Sequence, residues 1–156
     1  MSELRARLSK ATKAAMKEKA AERLGTLRLI SAAIKDKDIA ARATGNDEGV
    51  SDDEVLAILG KMVKQRQESA KAYEEGGRLD LAERELAEIV VVEEFLPRKL
   101  DETEVEAAID AALAEVGASS IRDMGRVMGV LKANHTGQMD FGAVGPKIKD
   151  RLSATG

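Results

Sequence analysis

A chain of 156 residues with no Cys, no Trp, one His, two Phe and one Tyr excludes disulfide frameworks, thiolate metal centres, cysteine nucleophiles, paired-histidine metal motifs and aromatic platforms for base stacking. Hydrophobic residues make up 44% and charged residues 34%, enough to bury a core in one domain or two small lobes. The net charge of −3 is uneven: +6 over residues 1–42, −8 over 43–97, −4 over 98–117 and +3 over 118–156. An acidic chain is a poor non-specific ligand for DNA, but its basic ends leave room for a local contact to phosphate.

Two prolines among abundant Ala, Leu, Glu, Lys and Arg predict an all-α protein. Charges in Met1-Ser2-Glu3-Leu4-Arg5 stand where a secretory leader needs an apolar stretch, and no apolar run approaches a membrane span. A cytoplasmic location without membrane contact is expected.

Leu4, Leu8, Ala11 and Ala15 recur at spacings of three and four, and Leu27, Ile30 and Ile34 extend the stripe. Residues 2–43 therefore read as one long helix, or as two joined near Leu24-Gly25. A loop by composition follows at Thr44–Gly49. Ser51 and Glu54 form a capping box for a helix burying Val55, Leu59, Met62 and Val63, which ends at Gly76-Gly77. Asp80 and Glu83 predict a second box, ahead of Ala82, Leu86, Ile89, Val92 and Leu96. Ile89–Val92 has strand-like composition, yet its flanks keep helical periodicity, so it is read as helix up to Pro97.

Beyond Pro97 a helix capped at Asp101–Glu104 turns Val105, Ile109, Ala112, Leu113 and Val116 inward and stops at Gly117. Ser120 with Asp123 caps the next, with Ile121, Met124, Met128 and Leu131 inward and an end at Asn134–Gly137. The last helix offers Phe141, Val144, Ile148 and Leu152. Pro146 predicts an irregular first turn, or a start near Gly145 with Pro146 as the first helical residue. The expected architecture is an N-terminal four-helix lobe, residues 1–97, followed by a smaller three-helix lobe, residues 98–156.

No catalytic residue, cofactor or metal site is predicted. Gly60-Lys61 lacks the first glycine of a phosphate-binding loop. His135 suits a helix C-terminus. Ser119-Ser120 lacks the lysine and glycine-rich context of serine amidases. Asp52-Asp53-Glu54 and Glu93-Glu94 read as caps or solvated groups, whereas acid catalysis needs a carboxyl raised by burial. Lys10, Lys13 and Lys17 share one helix face, and Arg28, Lys35 and Arg42 another. Each is a solvated face or, more sharply, a partner-binding stripe. Gly125 and Gly129, one turn apart, suit close packing inside the lobe, or alternatively a backbone lying near phosphate.

Leu96-Pro97-Arg98-Lys99-Leu100, then Ile121-Arg122-Asp123-Met124-Gly125-Arg126-Val127-Met128-Gly129, then Gly137 followed by Asp140, resemble the GatB/YqeY family. The C-terminal lobe is similar to the tail domain of GatB, a component of the aspartyl/glutamyl-tRNA amidotransferase. Arg23–Ile30 with Ala32-Ala33-Ile34-Lys35 resembles the stand-alone YqeY-like members; Gly145 and Pro146 depart from the helix formers expected in the last helix. The resemblance implies an accessory tRNA-engaging module related to glutamine-dependent tRNA amidation, without a catalytic centre of its own. Its partners would be tRNA and an aminoacyl-tRNA synthetase or amidotransferase component. Arg122, Arg126, Lys132, Lys147 and Arg151 would be its phosphate contacts. A helical protein-interaction adaptor is the alternative. The family's label, carbon–nitrogen ligase with glutamine as amido-nitrogen donor, ranks third.

Overall fold

The computed structural model describes residues 2–155, with side chains to Ser153. The chain divides into two compact units, one up to Leu96 and one from Pro97. Among the described residues there are seven α-helices and one 3-10 turn, and no strand.

The first unit holds α1 (Glu3–Lys17), α2 (Ala21–Ala43), α3 (Asp52–Glu75) and α4 (Leu79–Glu93). The helix break expected at Leu24-Gly25 falls instead between Lys17 and Ala21. There Lys19 adopts a φ of +57°, a left-handed conformation that ends the helical path. Gly25 stays inside α2 on an exposed turn, where a Cβ would meet nothing. Apolar periodicity reports which face is buried, not where the chain turns.

Ser51 and Glu54 cap α3 reciprocally, as their spacing predicts. The box at Asp80–Glu83 is absent. α4 begins at Leu79 after Arg78, which makes no side-chain cap. Asp80 is held by the Arg78 guanidinium instead, which keeps its carboxyl below its ordinary range. The core gathers Leu4, Leu8, Leu27, Ile30, Ile34, Val55, Leu59, Met62, Ile89 and Val92. Leu86, predicted inward, is exposed, and Phe95 is buried. Ile89–Val92 is helical.

The loop from α2 to α3 is fastened by Asp38. Its Oδ1 accepts from Arg5 Nη2 at 2.8 Å and from the Val50 N–H at 2.8 Å, and its Oδ2 accepts from Arg5 Nη1 at 3.0 Å. Arg5 Nη2 also donates to the Val50 carbonyl at 3.0 Å. Gly49, at φ +89°, passes so close that a Cβ there would lie 2.6 Å from Asp38 Oδ1.

The second unit holds α5 (Glu102–Val116), a 3-10 turn (Ile121–Asp123), α6 (Met124–Asn134) and α7 (Phe141–Thr155). Its core is Val105, Ile109, Ala112, Val127, Leu131, Met139, Val144, Ile148 and Leu152. The expected inward set of α6 needs correction. Ile121 is 46% exposed and Val127 fills the core position, because the turn shifts the phase of the residues before Met124. The stretch entering the unit is tied to the turn after α6: the Leu100 N–H donates to the Gln138 carbonyl at 2.9 Å, and Gln138 Nε2 donates to the Arg98 carbonyl at 3.2 Å.

Asp101 and Glu104 form the capping box of α5, and Arg98 reaches both Glu104 oxygens, at 2.8 and 2.6 Å. These contacts lower the Glu104 carboxyl from 4.5 to about 2, with Arg98 the largest cause and the Asp101 N–H the next. A depressed folded value contributes stability above pH 4.5 that is lost as pH falls toward 2. In an NMR acid titration the Glu104 midpoint should lie well below 4.5, and Arg98→Ala should move it upward.

Pro146 does not start α7. The helix begins at Phe141, with the Asp140 side chain accepting from the Gly142 N–H at 2.9 Å, and Pro146 lies inside it. A proline there removes the bond to the Gly142 carbonyl and crowds that oxygen. The helix continues because Val144, Ile148 and Leu152 are buried on its inner face. Pro146→Ala is expected to stabilise this unit by about 1–2 kcal/mol, the regained helix propensity less the entropy returned to the unfolded chain. Urea unfolding followed by circular dichroism checks it.

Candidate nucleic-acid interface

The segment Ile121–Gly129 separates into parts with different jobs. Asp123 builds the cap: its Oδ2 accepts from the Ser119 N–H at 3.0 Å and the Ser120 N–H at 3.3 Å. Its Oδ1 takes Arg126 in an ion pair one turn on. The Ser119 N–H and then Arg126 hold the Asp123 carboxyl below its ordinary value. Asp123 is thus both the start of the helix and the anchor that orients Arg126. Met124 turns partly inward, its methyl 3.6 Å from where a Gly145 Cβ would stand. Met128 is also partly buried against the core.

Gly125 and Gly129 lie on the other side. Both are exposed, and a Cβ on either would meet nothing within 4 Å. The close packing inside the lobe expected of them is therefore corrected: no neighbour among the described residues uses their smallness. A glycine within a helix costs about 0.5–1 kcal/mol relative to alanine, and packing inside the unit returns none of it.

Gly125, Arg126, Gly129 and Lys132 stand on one exposed side of α6 by helical spacing, and Arg122 is exposed on the turn just ahead of it. No ion pair involves Arg122 or Lys132 among the described residues. The result is a helix face with bare backbone at its centre and three basic side chains around it. Such a face admits a charged polymer close to the helix and holds it through phosphate rather than through bases.

Lys147 and Arg151 are placed elsewhere. On α7, Arg151 is paired with Glu106 and Asp110 of α5, and Lys147 lies 3.8 Å from Glu106. Each is engaged by an acid as Arg126 is by Asp123, but their partners belong to α5, which turns them toward that helix rather than toward the glycine face.

Gly137 and Asp140 serve the turn between α6 and α7. Gly137 has φ +78°, and Asp140 caps α7 through Gly142. His135 ends α6, its Nδ1 3.2 Å from Gln138 Oε1. Among the described residues no group of three or more His, Asp or Glu could hold a metal ion. None of their helices is long and apolar enough to cross a membrane. The open position of the glycines was detectable in the sequence, since helical spacing sets Gly125 and Gly129 opposite Val127 and Leu131.

A sequence model of the Yqey-like protein family matches residues 5–152. A protein of Lachancea thermotolerans, named altered inheritance of mitochondria protein 41, mitochondrial, is 32% identical over 117 residues. The match covers 74% of this chain and 60% of that protein, so the chain spans less than two thirds of the relative's length.

Proposed function

We propose, from the premise that this chain belongs to the YqeY-like family, that the unit from Pro97 is an accessory module that engages tRNA. The observation that supports this reading most is the exposed side of α6, where Arg126 and Lys132, with Arg122 on the turn ahead, surround the bare backbone of Gly125 and Gly129. Docking is electrostatic and shape-based, with the RNA backbone lying along the helix. Lys147 and Arg151 act at most as a second ring, because Glu106 and Asp110 already engage them. The two units, one up to Leu96 and one from Pro97, act as lobes in their own right, one residue from the boundary expected at 97 and 98. Amidation chemistry belongs to a partner, an aminoacyl-tRNA synthetase or amidotransferase component. The Lachancea relative is named for mitochondria; the chain itself is read as cytoplasmic, where it meets charged tRNA.

The test is binding of the purified chain to total tRNA across a salt series, with duplex DNA as competitor. Three phosphate contacts predict a log–log salt slope of about −2 to −3, against which DNA competes poorly. The double variant Arg122→Glu, Arg126→Glu should lower affinity at least about tenfold and flatten the slope by about 2. Unchanged affinity in that variant removes the site, and no binding at low salt removes the reading.

A second reading, a protein-interaction adaptor, is favoured by one observation. α4 leaves Leu79, Leu86 and Val90 exposed on a single stripe.

A further inference from the structure

α1 and α2 leave an open groove of about 470 Å³ between them. The Arg5–Asp38 ion pair closes one end. Its floor is apolar, with Leu8 and Ile34 buried, and Met16, 53% exposed, stands at the other end. Lys13 lines it from α1 and Lys35 from α2, and both are exposed. An apolar trough between two cationic rims suits an acidic amphipathic helix, whose apolar residues fill the floor while its carboxylates meet the rims. A phosphate backbone would leave that floor without a partner.

The same lobe carries such a helix face. Leu79, Leu86 and Val90 are 62%, 45% and 66% exposed on α4. Glu83 and Glu93 are exposed on the same stripe by helical spacing. Val90 lies eleven positions beyond Leu79, as Met16 lies beyond Arg5 along the groove. At 1.5 Å per residue each is about 16 Å long. The apolar ridge and the groove are alike in length and opposite in charge, with Glu93 just past the end of the ridge, and both are exposed within their own lobe.

We propose that α4 of one copy docks in the α1–α2 groove of a second copy, with Glu83 and Glu93 against Lys13 and Lys35. Groove and ridge are different surfaces, so the contact is head-to-tail, and a bound pair keeps one free groove and one free ridge for further copies. One helix in one groove is a small footprint, so association is weak, with a dissociation constant of about 0.1–1 mM.

The experiment is sedimentation of the full chain from about 10 μM to 1 mM, at about 0.05 M and 0.5 M salt. At low salt the weight-average mass should climb with concentration past twice the 16.7 kDa of one chain, and it should fall back at high salt. The groove variant Lys13→Glu, Lys35→Glu and the ridge variant Glu83→Lys, Glu93→Lys should each sediment as one chain. Mixed in equal amounts they should associate again, because each then offers the charge that the other needs. All four positions are exposed, and circular dichroism confirms that the variants fold. A single-chain mass at every concentration overturns the proposal, as does association that the groove variant leaves unchanged or that mixing fails to restore. A single-chain mass with tRNA affinity lowered in the groove variant assigns the groove to RNA instead.

Discussion

Replacing Gly49 with alanine should destabilise the first unit by about 2–4 kcal/mol. Two costs add. At φ +89° a side chain is strained whatever the surroundings, at about 1–2 kcal/mol. The new Cβ would also stand 2.6 Å from Asp38 Oδ1. That oxygen cannot swing aside without leaving both the Arg5 guanidinium and the Val50 N–H, and charge-assisted bonds of this kind carry about 1.5–3 kcal/mol before solvent screening reduces them. Gly45→Ala is the control: its φ is +95°, yet a Cβ there meets nothing, so it should carry the backbone cost alone. The difference between the two variants isolates the contact with Asp38. Tyr73 is the chain's one tyrosine, and there is no tryptophan. Because Tyr73 lies in α3, its fluorescence follows the first unit during urea unfolding. Removing the carboxylate as well, in Gly49→Ala with Asp38→Ala, should cost less than the sum of the single changes.

The second large effect has two readouts that move in opposite directions. Gly125→Ala with Gly129→Ala should stabilise the second unit by about 1–2 kcal/mol, because both residues sit inside α6 and a Cβ on either touches nothing. On the reading proposed for this face, the same pair should weaken tRNA binding by about tenfold, since each methyl lifts the RNA backbone off the helix. Gain of stability with loss of affinity places the glycines in recognition. Gain of stability with unchanged affinity leaves Arg122 and Arg126 as the only part of the segment that RNA meets.

Helix identity was readable where a cap and a stripe agreed. Ser51 with Glu54 and Asp101 with Glu104 start helices as their spacing predicts, and Val55, Leu59, Ile109 and Ile148 are buried as their periodicity predicts. The break between α1 and α2 falls at Lys19, a left-handed residue that no glycine, proline or cap announces, and α7 continues through Pro146 because its inner face is buried, which local preference does not contain. Asp80 matched the pattern of a cap but is held by Arg78. At the candidate interface the residue types were visible and their partners were not. Arg151 and Arg122 are alike in sequence, yet one faces the acids of α5 and the other faces solvent.

The ties of Arg98 and Leu100 to Gln138 bear on where this unit can be cut out and grafted. Its first helix begins at Glu102, but the stretch ahead of it supplies the N–H that meets the Gln138 carbonyl and the carbonyl that meets the Gln138 amide. A fusion joined at Asp101 would leave the turn after α6 without its brace and Glu104 without Arg98. A fusion joined at Pro97 carries all of these with it. The portable segment therefore starts five residues before its first helix, and a transplanted copy should keep the shape of its α6 face only when those residues travel with it.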